Sequence, residues 1–128
     1  MENLKIEATK YTPEIVFDYE NHHLEIKGKS YPENTSAFYR PVFDWLEAYL
    51  DRDDIRAVSV SLWLIYFNSS SSKALLDFFD MLEEASEDGK EITVNWIYEP
   101  EDEDSLEFGE EFQEDFETLN FNMVAKSS

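Results

Sequence analysis

Hydrophobic residues recur with a period of two in several stretches of this chain, which is the pattern of β-strands. Ile15, Phe17 and Tyr19 follow this period, and a second short stretch repeats it soon afterwards. Together they predict a hairpin with strands at 14–19 and 24–28 around a short turn. Three further strands are predicted at Ala57–Phe67, Glu91–Tyr98 and Asn120–Ala125.

Between these strands, apolar residues recur three and four positions apart, which is the spacing of an amphipathic helix. The first predicted helix covers 36–50, and Thr35 or Ser36 is well placed to cap it. The second begins near Lys73 and ends before Gly89, which supplies a left-handed stop.

A third helix is predicted at 105–118, inside a stretch that is dense in Asp and Glu. Phenylalanine recurs there every fourth residue, at Phe108, Phe112 and Phe116. A disordered acidic tail would lack this stripe. We therefore expect an aromatic edge that docks on the sheet while the carboxylates face water.

The order of these elements predicts an α/β fold in a single domain that spans residues 1–128. The segment Ala57–Phe67 is apolar on both faces, which is typical of a central strand. The strand, helix and strand that run from Ala57 to Tyr98 form a unit of the length that normally makes a right-handed parallel crossover. A mixed β-sheet with flanking helices is therefore predicted.

The composition fits a folded, acidic protein. Apolar residues make up 42% and aromatic residues 16% of 128 residues, and the formal net charge is −20. Such a surface repels phosphate backbones and anionic lipid head groups, so neither nucleic acid nor a membrane is an expected partner. The chain has no cysteine, no secretory-type start and no long apolar run. We expect a cytoplasmic protein.

No sequence motif for catalysis, metal binding or a cofactor is present. The acidic stretch 99–107 lacks the ligand spacing of an EF-hand, and no glycine-rich phosphate loop occurs. His22 and His23 are adjacent on or beside a strand, so their side chains should point to opposite faces. We expect no enzyme activity, and we expect the three tryptophans to pack in the core. They are Trp45, Trp63 and Trp96.

Four consecutive serines, Ser69 to Ser72, lie between a predicted strand and a predicted helix. Small hydroxyl side chains satisfy the unpaired N–H groups of a helix start, so one serine is expected to cap the helix and the others to form a polar turn. The same hydroxyls are substrates for kinases, and a phosphate at the positive end of a helix dipole is tolerated. Ordinary capping and a regulatory site both fit the residues, and capping is the simpler interpretation.

Several segments resemble the SiaC family of bacterial regulatory phosphoproteins over nearly the whole chain. They are SYPENT, LWLIYFNSS with the following SSKALLDFFDMLEEA, and VNWIYE. The family is similar in fold to anti-sigma-factor antagonist (STAS) domains. The resemblance implies a partner switch: a Ser/Thr kinase adds a phosphate, a PP2C-type phosphatase removes it, and the unmodified protein binds and activates a diguanylate cyclase.

The resemblance also implies the residues of the switch. In the family the modified residue directly follows the Asn at the strand end, which corresponds to Ser69, with Ser70 as the alternative. A surface made of Asn68, Ser69, Ser70, Ser71 and Lys73 would then bind the partner.

Two other functions stay open. One is an adaptor domain that binds basic protein surfaces through its acidic helix at 105–118 without any phosphorylation switch. The other is a hydrolase that uses two close carboxylates with separated pKa values.

Overall fold

A computed structural model describes residues 1–126 and contains six strands and three helices. The strands are β1 Leu4–Ile6, β2 Glu14–Asp18, β3 His23–Ser30, β4 Ala57–Phe67, β5 Glu91–Tyr98 and β6 Asn120–Ala125. The helices are α1 Thr35–Leu50, α2 Ser69–Glu87 and α3 Glu103–Asp115. No helix within residues 1–126 has the length and hydropathy that a membrane crossing requires.

All six strands form one sheet in the order β1-β2-β3-β4-β5-β6. The pairs β1·β2 and β2·β3 are antiparallel, and the pairs from β3 to β6 are parallel. The predicted mixed sheet, its central strand β4 and the hairpin are confirmed. Strand β1 was not predicted, because its three residues are too few to display a period of two.

The three helices cover one face of the sheet, and we call the other the open face. Along β4, Val58, Val60, Leu62 and Leu64 are buried, whereas the alternate positions are half-buried or exposed. The same alternation holds in β3 and β5. The buried side chains of all strands therefore meet the helices in one core on one side.

Two of the three tryptophans follow the prediction of core packing. Trp96 is fully buried, and Trp45 packs on the core with its ring stacked on that of Tyr49. The prediction is wrong for Trp63, which lies half-buried on the open face. The ammonium group of Lys27 lies 5.0 Å from the centroid of the Trp63 ring and covers it. An apolar side chain on the open face therefore does not require a second layer of helices.

The helix boundaries differ from the predictions at their starts. Asn34, not Thr35 or Ser36, caps α1 by accepting a hydrogen bond from the amide of Ala37. Helix α3 starts and ends two to three residues before the predicted limits, at 103 and 115. Gly89 follows α2 with a φ of +105°, as its predicted role as a left-handed stop requires.

An irregularity in β4 changes which side chains face the core near the end of the strand. The pairing of β3 with β4 skips Ile65, since Gly28 pairs with Leu64 and Lys29 with Tyr66. The extra residue restores Phe67 to the buried face and leaves Ile65 and Tyr66 more than half exposed. The strand therefore ends with a buried residue, Phe67, two positions before the serine run.

Gly109 lies where α3 packs closely against side chains of β5 and β6. A Cβ atom at this position would come within 2.5 Å of both the Met123 Cε and the Trp96 Cδ1 atoms. We expect Gly109→Ala to lower the free energy of unfolding by about 1 to 3 kcal/mol, although alanine favours helices. Urea titration measures this, and the exposed Glu110→Ala should change stability by no more than about 0.5 kcal/mol. An unchanged or raised stability of the Gly109 variant would contradict the close contact.

Tyr49 makes stability depend on pH in the alkaline range. Burial raises the pKa of its phenol to about 12, from the ordinary value of 10.0. Because the pKa is higher in the folded state, this stabilisation is complete below the unfolded pKa of about 10 and is lost as the pH rises toward the folded pKa.

We therefore expect Tyr49→Phe to flatten the decline of stability between pH values of about 10 and 12. Denaturant midpoints at several pH values measure the slope. Tyr66→Phe removes an exposed hydroxyl and serves as the control. Equal slopes for the Tyr49 variant and the unsubstituted protein would contradict this assignment.

Candidate functional site

The serine run forms the first turn of α2. Strand β4 ends at Phe67, Asn68 is the cap, and the helix begins at Ser69. The Asn68 side chain accepts a hydrogen bond from the amide of Ser71 at 2.9 Å, and its carbonyl accepts one from the amide of Ser72. The predictions that a serine caps the helix and that the helix starts near Lys73 are therefore wrong, because an asparagine side chain reaches the third helical amide equally well.

The four serines occupy different environments because successive helical residues point about 100° apart. Ser69 and Ser70 are exposed, Ser71 is fully buried, and Ser72 is intermediate. Ser69 therefore presents a hydroxyl to solvent at the first helical position. The described residues provide no hydrogen-bond acceptor for the amide N–H groups of Ser69 and Ser70, so these groups are available to an anion or a partner.

Ser71 belongs to a buried network of hydroxyl groups. Its Oγ atom donates to the carbonyl oxygen of Ser30 at 2.9 Å and lies 2.8 Å from the Ser30 Oγ atom. The Ser30 Oγ atom shares a second hydrogen bond, of 2.6 Å, with the hydroxyl of Tyr39. Burial raises the pKa of Tyr39, against the effect of its hydrogen bonds to the two serines, so the phenol stays neutral in the network.

This burial corrects the expectation that Ser71 contributes to a partner surface. Its hydroxyl is engaged inside the protein and is out of reach of a kinase or a partner. Ser30 and Tyr39 were not predicted to belong to the site, since they lie in β3 and α1. Nothing in their local pattern indicates that the fold will bring them to the head of α2.

A groove of about 730 Å³ lies beside the serine run, between the heads of α1 and α2. Ser70 and Lys73 line it from α2, and Asn34 and Ser36 line it from α1. Ser69 is not among its lining residues. Neither helix has an acidic residue in its first turn, although the chain carries 30 carboxylates. The carboxylates that line the groove are Glu33, which precedes the cap of α1, and Asp77 from α2.

The histidines and acidic residues among residues 1–126 do not assemble into a metal site. Within residues 1–126, no three side chains of His, Cys, Asp or Glu are grouped to hold a metal ion. His22 and His23 have separate partners: the Nδ1 atom of His22 lies 2.7 Å from the hydroxyl of Tyr49, and His23 lies 3.8 Å from Glu25.

The carboxylates with shifted pKa values do not form a catalytic pair. Hydrogen bonds from Asn21 lower the pKa of Asp18, and a hydrogen bond from Arg52 lowers that of Asp54. Both are therefore stabilised as anions, Asp18 at the end of β2 and Asp54 in a turn, whereas a general acid needs a raised pKa.

Substitutions along the junction should separate its capping, buried and exposed positions. We expect Asn68→Ala to cost about 1 kcal/mol of stability through the lost cap. Ser71→Ala should cost about 1 to 3 kcal/mol, because it leaves buried partners unsatisfied. Ser69→Ala should stay within about 0.5 kcal/mol of the unsubstituted protein. Urea titrations test this order, and a Ser69 variant as unstable as the Ser71 variant would contradict the exposure of Ser69.

Known proteins match this chain in both sequence and fold. The sequence profile of the SiaC family regulatory phosphoproteins matches residues 6–126. An uncharacterized protein of Pseudomonas aeruginosa (strain UCBPP-PA14) is 40% identical over 115 residues, which is 90% of each chain.

Solved structures of SiaC from Pseudomonas aeruginosa share the fold. The apo-SiaC crystal structure is 36% identical, with a TM-score of 0.86 over 99% of this chain and 100% of the other. SiaC in the crystal structure of the diguanylate cyclase SiaD in complex with its activator SiaC is 37% identical, again with a TM-score of 0.86, over 98% and 99% of the two chains. The chain therefore belongs to the SiaC family of regulatory phosphoproteins.

Proposed function

We propose that this protein is a non-catalytic regulator that binds and activates a diguanylate cyclase while Ser69 is unmodified, and that loses this partner when Ser69 is phosphorylated. A Ser/Thr kinase and a PP2C-type phosphatase would set the state of Ser69. The observation that carries the proposal is the exposed hydroxyl of Ser69 at the first position of α2, directly after the capping Asn68. The partner class is supported by SiaC of Pseudomonas aeruginosa, which forms a complex with the cyclase SiaD.

The head of α2 can carry a phosphate without a change of fold. A phosphate adds about −1.5 to −2 charges, and the positive end of a helix dipole stabilises an anion there. Lys73 lies one helical turn after Ser69, is exposed, and supplies a cation on the same side of the helix. The modified and unmodified proteins therefore differ in their surface, not in their core.

The same charge is poorly tolerated in an interface. A partner that covers the head of α2 must exclude water from Ser69, and a phosphate there adds bulk and a desolvation cost. A loss of about 1.4 kcal/mol lowers affinity tenfold, and a loss of about 3 to 4 kcal/mol lowers it more than a hundredfold. One modification at this position is therefore sufficient to separate the partners.

Ser70 is the alternative position for the phosphate. Its hydroxyl is also exposed, but the side chain lines the groove between α1 and α2 together with Glu33 and Asp77. A phosphate on Ser70 would meet these two carboxylates, whereas Ser69 lies outside the groove. This difference favours Ser69 as the site of the switch. Mass spectrometry of the native protein, with site assignment across Ser69 to Ser72, distinguishes the two.

An adaptor function without a switch is the second candidate, and α3 is the observation that favours it. This helix carries seven carboxylates and no basic residue. A basic partner surface would be attracted to it, and that binding would weaken steeply with salt and ignore Ser69. Titrations at two ionic strengths therefore separate this candidate from the proposed switch.

The switch predicts opposite behaviour for two substitutions of one residue. We expect Ser69→Ala to bind and activate the cyclase as the unsubstituted protein does, whereas Ser69→Asp should bind at least about tenfold more weakly, since it places a negative charge in the interface. The measurement is a calorimetric titration, with cyclase turnover as a second readout. The partners tested are the purified diguanylate cyclases of the source cell together with SiaD of Pseudomonas aeruginosa.

Ser70→Asp is the matched control, because it places the same charge one residue further along the helix. A smaller effect than that of Ser69→Asp supports Ser69. Equal affinities of the Ser69→Ala and Ser69→Asp variants would contradict the switch, and a larger effect at position 70 would move the switch to Ser70.

A further inference from the structure

The open face of the sheet is divided into a polar half and an apolar half. The polar half lies toward the amino-terminal ends of the parallel strands. Its cross-strand rows are Ser59, Thr93 and Asn120, and then Ser61, Asn95 and Asn122. The asparagine side chains of β6 donate hydrogen bonds to their neighbours in β5, to the Oγ1 atom of Thr93 and the Oδ1 atom of Asn95. This half is suited to contact with water.

The next row toward the carboxyl ends of the strands has a different character. It contains Lys27, which pairs with Trp63 across β3 and β4, and Ile97, which pairs with Val124 across β5 and β6. Trp63 and Ile97 are half-buried, and Val124 is exposed. A small hollow of about 110 Å³ beside the ring of Trp63 is lined by Lys27, Trp63 and Ile97, together with Glu25 and Ser61.

Aromatic side chains extend this apolar surface toward and beyond the carboxyl ends of β3 and β4. Tyr66 packs edge-on against Tyr31, and Tyr31 packs edge-on against Tyr11, with ring centroids 5.4 Å and 5.3 Å apart. Tyr66, Ile65 and Tyr11 are each 52% to 53% exposed. We call the surface formed by these residues and the Trp63 row the aromatic patch. Exposed apolar surface of this kind typically marks a contact site for another macromolecule.

The aromatic patch also carries positive charge. Lys27 and Lys126 lie 5.0 Å and 4.2 Å from the centroid of the Trp63 ring, and Lys29 pairs with Tyr66 in the sheet. The whole chain has only ten lysines and arginines against 30 carboxylates. Among residues 1–126, neither Lys27 nor Lys29 forms an ion pair with a carboxylate. These ammonium groups are therefore available to carboxylates of a partner.

The aromatic patch reaches the end of β4 at which α2 begins. Ile65 and Tyr66 come only three or four residues before Ser69 in the chain, and both lie at the carboxyl end of β4, where α2 begins. A partner that covers Ser69 therefore lies beside exposed aromatic rings on one side of the junction. The bulge at Ile65 is the feature that turns these two side chains outward.

We infer that the aromatic patch is a second part of the cyclase-binding surface, and that it takes an apolar segment of the cyclase that is flanked by carboxylates. This inference rests on the proposed function for the identity of the partner. Apolar side chains of the segment would cover Ile65, Tyr66 and Trp63, and its carboxylates would pair with Lys27 and Lys29. The complementary charge sets the orientation of the segment on a protein whose remaining surface is acidic.

Two variants of the aromatic patch test the inference, each with a matched control. Lys27→Glu should weaken cyclase binding by about tenfold or more, whereas Lys90→Glu, with the same change of net charge at the opposite end of the sheet, should change it by less than about twofold. The double substitution Ile65→Ser with Tyr66→Ser should weaken binding by a similar factor, and Val16→Ser, beside the polar half, should not. Thermal unfolding confirms that each variant is folded.

The titrations use the same purified cyclases and include Ser69→Asp. Binding that responds to Ser69 but not to the patch variants would overturn the inference and leave the switch intact. Binding that responds to the patch but not to Ser69 would support the patch and overturn the switch. Vesicles of anionic phospholipid and sedimentation of the free protein complete the test. Vesicle binding or self-association that the patch variants abolish, while cyclase binding persists, would also overturn the inference.

Discussion

The buried hydroxyl network at the head of α2 is the interaction on which the proposed regulatory site depends. Ser71 reaches down to Ser30 at the end of β3, and Ser30 in turn reaches Tyr39 in α1. Three elements are thereby joined at one point, and unpaired hydroxyls in this position would be costly. Once Ser71 points inward, the geometry of the helix turns Ser69 outward.

Asn68 completes this constraint from the outside. Its side chain binds the amide of Ser71, and its own amide binds the carbonyl oxygen of Ser30. The junction between β4 and α2 is therefore a single residue that is held on both sides. A phosphate on such a rigid junction changes the surface that a partner meets, without a need to move the elements beneath it.

Charge is unevenly distributed over the described surface. Helix α3 carries seven carboxylates and no basic residue, whereas Lys27 and Lys126 lie on the open face against the ring of Trp63. The one-sided layering makes this arrangement possible, because side chains of the open face are not needed for the core.

The sequence alone determined most of the architecture, because the spacing of hydrophobic residues along a segment follows directly from which of its side chains are buried. Strands β4, β5 and β6 begin and end at their predicted residues, and the SiaC resemblance is confirmed. Predictions failed where a local pattern permits several outcomes: serines and asparagines cap helices equally well, and an apolar strand does not reveal which face is covered. The predictions for the cap of α2, which is Asn68, and for the position of Trp63, which is half-buried, were wrong for these reasons.

Only the tertiary structure decided which of the four serines is buried and which are exposed. The four serines are chemically identical in sequence, and their difference arises from contacts with Ser30 and Tyr39, which lie 41 and 32 residues before Ser71 in the chain. The outward turn of Ile65 and Tyr66 likewise depends on the pairing of β4 with β3. Such long-range contacts cannot be predicted from hydrophobic periodicity, because each residue fits the pattern of its own strand or helix whether or not the contact forms.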